Sequence, residues 1–193
     1  METTRLEPPG QRLRQRRQLA DRLAADQGGV VSREQLRTAG VDRNAVQREV
    51  AAGRWRLHGT QTVAVHRRSL TAREQWWRAI WEVGGDVALL DGVSALLAHG
   101  LTGFAEYAVH VSVVHRHHVP HPHGVLIHKL GERSSGEGVS VGVPRVRAPL
   151  AAVRAAHWAT SDRQAGLVLA MTVQQGLATP QGLAVALRSS KHR

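Results

Sequence analysis

Between Gly28 and His66 the chain is punctuated so closely that few local folds fit it. Ser32 stands three residues before Gln35, so hydroxyl and amide can satisfy each other's free backbone N–H groups as a capping box opening a short helix. Gly40 can end that helix in the left-handed conformation at little cost. Asp42 is then placed to cap a second helix, which carries Val46 and Val50 one turn apart on one face and stops at Gly53. Trp55, Leu57, Thr62, Val63 and Val65 form two β-type runs around His58-Gly59-Thr60-Gln61, a hairpin signal. Helix, short turn, helix, hairpin is the order of a winged helix-turn-helix, which lays its second helix in a DNA major groove.

On that second helix, a rotation of about 100° per residue sets Asn44 and Arg48 opposite Val46 and Val50, with Arg43 and Gln47 on the flanks. Arg suits the O6/N7 edge of guanine, and Asn or Gln suits the N6/N7 edge of adenine. Asn44, Gln47 and Arg48 are therefore candidate base readers, while Arg12, Arg14, Arg43, Arg54 and Arg56 are candidate phosphate contacts. Ser32 and Arg33, where the first of the two helices begins, complete the candidate DNA-binding set. The charge agrees with a polyanionic partner: the chain carries net +11, of which residues 1–70 hold +7 and residues 71–193 hold +4. Codon bias explains 24 Arg against 2 Lys, but not an excess over carboxylates.

The run GGVVSREQL, AGVDRNAV and GRW resembles the N-terminal domain of the AbiEi family of type IV antitoxins, in the form common in actinobacterial genomes. The resemblance continues through DGVSALLAHGL at 91–101, VHVSV at 109–113 and SDRQAGLVLAMTVQQGLATPQGL at 161–183. It departs at the wing, where the family has a basic residue, Gly, Val and an aromatic, and this chain has His58-Gly59-Thr60-Gln61. The resemblance implies a DNA-binding regulator that represses its own operon. It also implies a cognate toxin, countered without a stable complex. Similar proteins often continue into an endonuclease-like domain, and this chain is expected to lack it. Two other readings remain: the targeting part of a truncated winged-helix–endonuclease protein, and a protein-interaction module built on the helix of Trp76, Trp77 and Trp81.

Along the rest of the chain, residues 1–10 with Pro8-Pro9-Gly10 are expected to be disordered, and Gln11–Gln27 to be a helix. Residues 11–66 then form the winged helix and 67–193 an α+β domain with a small antiparallel sheet and C-terminal helices. Thr71 and Glu74 suggest another capping box, opening the Trp-bearing helix that Gly84-Gly85 ends. A helix is expected over about 91–99 and β-type runs over Tyr107–Val114 and Val125–Leu130, read as the arms of a hairpin with a His-rich tip, HRHHVPHPHG. Val139–Val143 suggests a third strand; helices follow from Pro149, Ser161 and Thr179-Pro180.

Cysteine is absent, which excludes disulfides and Cys-ligated metal sites. The arginine-rich N-terminus lacks the apolar run of a signal peptide, and Asp86, Asp91 and His99 interrupt the longest apolar stretch, so a cytoplasmic protein without membrane spans is expected. No metal or other cofactor is expected, the five histidines of 115–123 lacking the rigid spacing of a dedicated site. Nor is an enzyme: the residues two before Lys129 and Lys191 are Ile127 and Ser189, not the acid of a nuclease motif, and Gly92-Val93-Ser94 lacks the second glycine of a nucleophile elbow.

Overall fold

Apolar residues spaced for one helical face, followed by short β-branched runs, produce an α+β chain that divides into two compact units, Met1–Glu74 and Gln75–Arg193. The computed structural model describes residues 9–190. Of the segment expected to be disordered, residues 1–8 lie outside that range, while Pro9 and Gly10 belong to the first helix.

The first unit runs α1 (Pro9–Ala25), β1 (Val30–Ser32), α2 (Arg33–Thr38), α3 (Arg43–Ala51), β2 (Arg56–Leu57) and β3 (Thr62–Ala64). Its capping signals act as read: Ser32 Oγ accepts the Gln35 N–H at 3.0 Å, Gln35 Oε1 accepts the Ser32 N–H at 2.9 Å, and Asp42 accepts the Ala45 N–H at 2.7 Å. β2 and β3 form the wing, and β1, a strand the sequence reading did not anticipate, pairs antiparallel on the other edge of β3. Ala20, Ala24, Leu36, Val46, Trp55 and Val63 meet beneath this sheet as one core.

The first unit extends past the boundary expected between residues 66 and 67 because α4 (Ala72–Val83) opens on a buried acid. Glu74 is fully buried and accepts from Arg68 at 2.6 and 2.7 Å, from the Thr71 N–H at 2.6 Å and from the Thr71 hydroxyl at 2.8 Å; His66 Nε2 lies 2.9 Å away. Gly28 and Gly29, at φ 78° and 107°, let the α1–β1 turn press on this cluster: a Cβ on Gly29 would stand 2.7 Å from the His66 ring. Burial acts to raise the Glu74 carboxyl, but Arg68, Thr71 and His66 together bring it down to about 2. An acid whose folded pKa is depressed stabilises the fold above its unfolded pKa, and that contribution is lost as pH falls through the folded value. The first unit should therefore lose about 3 kcal/mol of stability between roughly pH 4.5 and 2. Glu74→Gln should flatten that decline. Denaturant melts over this pH range check it, and an equally steep acid loss in the variant would refute the assignment.

The second unit contains the rest of α4, then β4 (Leu89–Leu90), α5 (Gly92–Ala98), β5 (Val109–Val114), β6 (Val125–Leu130), β7 (Gly138–Val139), β8 (Arg145–Val146), α6 (Ala148–His157), α7 (Asp162–Gln174) and α8 (Pro180–Ser190). Its sheet is ordered β6-β5-β4-β8-β7 and is mixed rather than wholly antiparallel: β4–β5 and β7–β8 are antiparallel, β4–β8 and β5–β6 parallel. The His-rich segment is accordingly not a hairpin tip. A tight hairpin needs about two to five residues between its arms, whereas residues 115–124 can return the chain along the length of β5 to start β6 in the same direction. β-type composition marks both strands but carries no sign of direction. The third strand falls at Gly138–Val139, at the near edge of the run expected to form it. α6 packs against α5, α7 and α8, and Ala151, Ala152 and Ala155 on α6 join Leu90, Leu96, Val111 and Val113 in the core. Trp76, Trp77 and Trp81 pack, half-buried, against this core, with Trp77 and Trp81 stacked at 5.2 Å. No described helix is long and apolar enough to cross a membrane.

Candidate nucleic-acid interface

α3 presents two chemically opposite faces. Ala45, Val46 and Glu49 are buried, while Arg43, Asn44, Gln47 and Arg48 are exposed. Asn44, Gln47 and Arg48 lie three and four residues apart and so share one side of the helix, where their donors and acceptors face outward together. Gly40, at φ 78°, makes the sharp turn that brings α3 into position after α2.

The helix is held from its inner side by an ion cluster. Glu49 is 3 % exposed, and its Oε2 accepts from Arg17 Nε on α1 at 3.0 Å and from Arg54 Nε at 2.5 Å. Burial works to raise the Glu49 carboxyl, yet Arg54 and Arg17 hold it below its ordinary value. Arg54, expected as a phosphate contact, is thus first an anchor for α3. Glu49 was the functional residue that sequence reasoning missed, although a signal existed: it follows Val46 by three residues and therefore sits on the apolar side.

The other candidates fall into clear places. Arg14 is exposed on α1 and Arg56 on β2 within the wing, whose turn at His58–Gln61 is closed by the His58 N–H on the Thr62 carbonyl at 3.0 Å. Arg33 is half-buried at the start of α2, its Nε buried without a hydrogen-bond partner. The Arg12 side chain lies outside the described part of the structure. Ser32 requires a correction: it is 6 % exposed and its hydroxyl is taken by the Gln35 N–H, so it caps α2 rather than facing a ligand. Arg68, which brackets the wing in sequence, is engaged by Glu74. Arg54 is exposed too but committed to Glu49, which leaves Arg14, Arg43, Asn44, Gln47, Arg48 and Arg56 as the remaining exposed candidates, cationic or amide-bearing throughout.

No protein-family model matches the chain, and no curated protein does.

The second unit holds its own charged centre. Asp91 is fully buried, caps α5 through the Gly92 N–H at 2.7 Å, and accepts from Arg154 Nη1 at 2.7 Å. Arg154 also donates to Glu137 at 3.2 Å, and Arg133 donates to Ser112 at 2.9 and 3.1 Å. Asp91 thus stands at the start of the helix expected over about 91–99 and caps it. Its partnership with residues 137 and 154 had no sequence signal.

Proposed function

We propose that the first unit reads double-stranded DNA in a sequence-specific way and that the protein regulates transcription of its own operon, as its resemblance to AbiEi antitoxins implies. The observation that carries this reading is the outward face of α3, where Asn44, Gln47 and Arg48 stand together over an apolar and ion-paired inner face. Those side chains match the major-groove edges of adenine and guanine. Arg14, Arg43 and Arg56 supply charge for the flanking phosphates, which fixes register without reading sequence. On this reading the regulator works in the cytoplasm, where the operon is, and its cognate toxin is countered without a stable complex.

The test is binding to the DNA upstream of its own gene against a scrambled duplex, from about 50 to 200 mM salt. Binding that keeps its preference at the higher salt supports the reading. Equal binding to both duplexes, collapsing together as counterions are released, would leave only a basic surface and end it.

A further inference from the structure

The second unit encloses a cavity of about 190 Å³ that no step of DNA reading uses. It is walled by Val93, Phe104, Leu126 and Trp158, and its polar end holds Glu106 and His110. At this volume it is below the size of a typical drug-sized pocket, so its occupant is a small molecule. Among its lining residues Glu106 is the only carboxylate, and none is Lys or Arg. Leu126 is 48 % exposed at the rim, which leaves an entrance.

The polar end is incompletely satisfied. His110 is 8 % exposed, and its Nε2 is buried with no hydrogen-bond partner. Glu106 Oε2 stands 3.6 Å from that nitrogen, too far for a hydrogen bond between them. The second carboxylate oxygen is already engaged by the N–H groups of Tyr107 and Ala108. On the far side of the ring, His110 Nδ1 meets His128 Nε2 at 3.0 Å, and the His128 ring stacks on Trp158 at 3.5 Å. Burial pushes both imidazoles below their ordinary pKa, with Glu106 opposing it at His110 and His110 reinforcing it at His128, which falls to about 4. Both rings are therefore neutral near pH 7. When the shared proton sits on His110 Nδ1, Nε2 becomes an acceptor beside a carboxylate acceptor. Two acceptors converge on one gap, and the group that satisfies both is a donor with positive charge. Among the described residues no three acids or histidines are placed to hold a metal ion, which points to an organic cation.

We propose that this cavity binds a small primary ammonium ion, sharing its N–H groups between Glu106 Oε2 and His110 Nε2 and laying its apolar body against Phe104, Leu126 and Trp158. The match is chemical on three counts. A charge-assisted donor compensates the desolvated carboxylate, a second N–H occupies the orphaned imidazole nitrogen, and the carbon skeleton covers apolar wall.

Titration of the full chain with isopentylammonium, isopentyl alcohol and isovalerate separates this from general apolar binding, since the three share a skeleton. NMR of the histidine rings gives a site-specific readout. Isopentylammonium should shift the His110 and His128 ring signals saturably, and the alcohol and acid should bind at least about tenfold more weakly. Glu106→Gln, which retains an acceptor oxygen for the Tyr107 and Ala108 N–H groups, should reduce ammonium affinity by a similar factor and leave alcohol binding unchanged. Equal binding of ammonium and alcohol by the native chain, or no saturation by ammonium in the millimolar range, overturns the proposal without reference to any variant.

Discussion

Replacing Asn44, Gln47 and Arg48 together by alanine should abolish preference for the upstream operator while leaving the protein folded. All three are exposed on α3, and alanine is the best helix former, so the melting temperature should hardly move. Each well-formed side chain–base pair is worth roughly 1–3 kcal/mol of discrimination. Three at the lower bound amount to about a hundredfold loss of specific affinity. Binding to scrambled DNA should fall far less, because only one positive charge is removed, and its salt slope should drop by about one. Arg14→Ala and Arg56→Ala should behave oppositely, weakening both duplexes alike. Fluorescence anisotropy with the two duplexes across a salt series measures all of this. Undiminished preference in the triple variant would falsify the assignment of α3 as the reader.

The largest expected effect on stability lies in the second unit, at Arg154. Arg154→Met should destabilise it by about 3–5 kcal/mol, the range for breaking a buried ion pair by removing one partner. Burial pushes the Asp91 carboxyl up, and Arg154 is the strongest influence opposing it, so without the guanidinium the acid must either take a proton or remain charged with no water around it. Glu137, 6 % exposed, loses its 3.2 Å partner as well, retaining the Ser134 N–H at 3.1 Å and Arg133 at 3.7 Å. This mechanism predicts a sign reversal that simple loss of packing does not. In the Arg154→Met background, Asp91→Asn should restore stability, because asparagine keeps the cap oxygen for the Gly92 N–H and removes the unpaired charge. In the native background the same substitution should destabilise. Denaturant unfolding followed by tryptophan fluorescence reports chiefly on this unit, which holds Trp76, Trp77, Trp81 and Trp158. Additive effects of the two substitutions would refute the coupled cluster.

What the sequence determined by itself was local. Ser32 with Gln35, Asp42, Gly40 and Gly53 act over three or four residues, where capping chemistry and glycine's access to positive φ decide the outcome with no help from the remainder of the chain. The winged-helix order and the outward face of α3 followed from these signals and from the apolar spacing of Val46 and Val50. The helix openings at Ser161 and Pro180 were legible for the same reason. Tertiary structure decided everything that required distant residues to meet. β1 became a strand because β3 offers it a pairing edge, and nothing within its three residues says so. The parallel pairing of β5 and β6 depends on the path of residues 115–124, since β-type composition is the same for either direction. Arg54 has the composition of a phosphate contact and the position of an anchor, because Glu49 turns inward beside it. Asp91, Glu137 and Arg154 are far apart in the chain and come together only when α5, α6 and the loop before β7 pack. Burial then turns three ordinary surface residue types into a cluster whose members depend on one another, because a charge removed from water is tolerated only beside its partner.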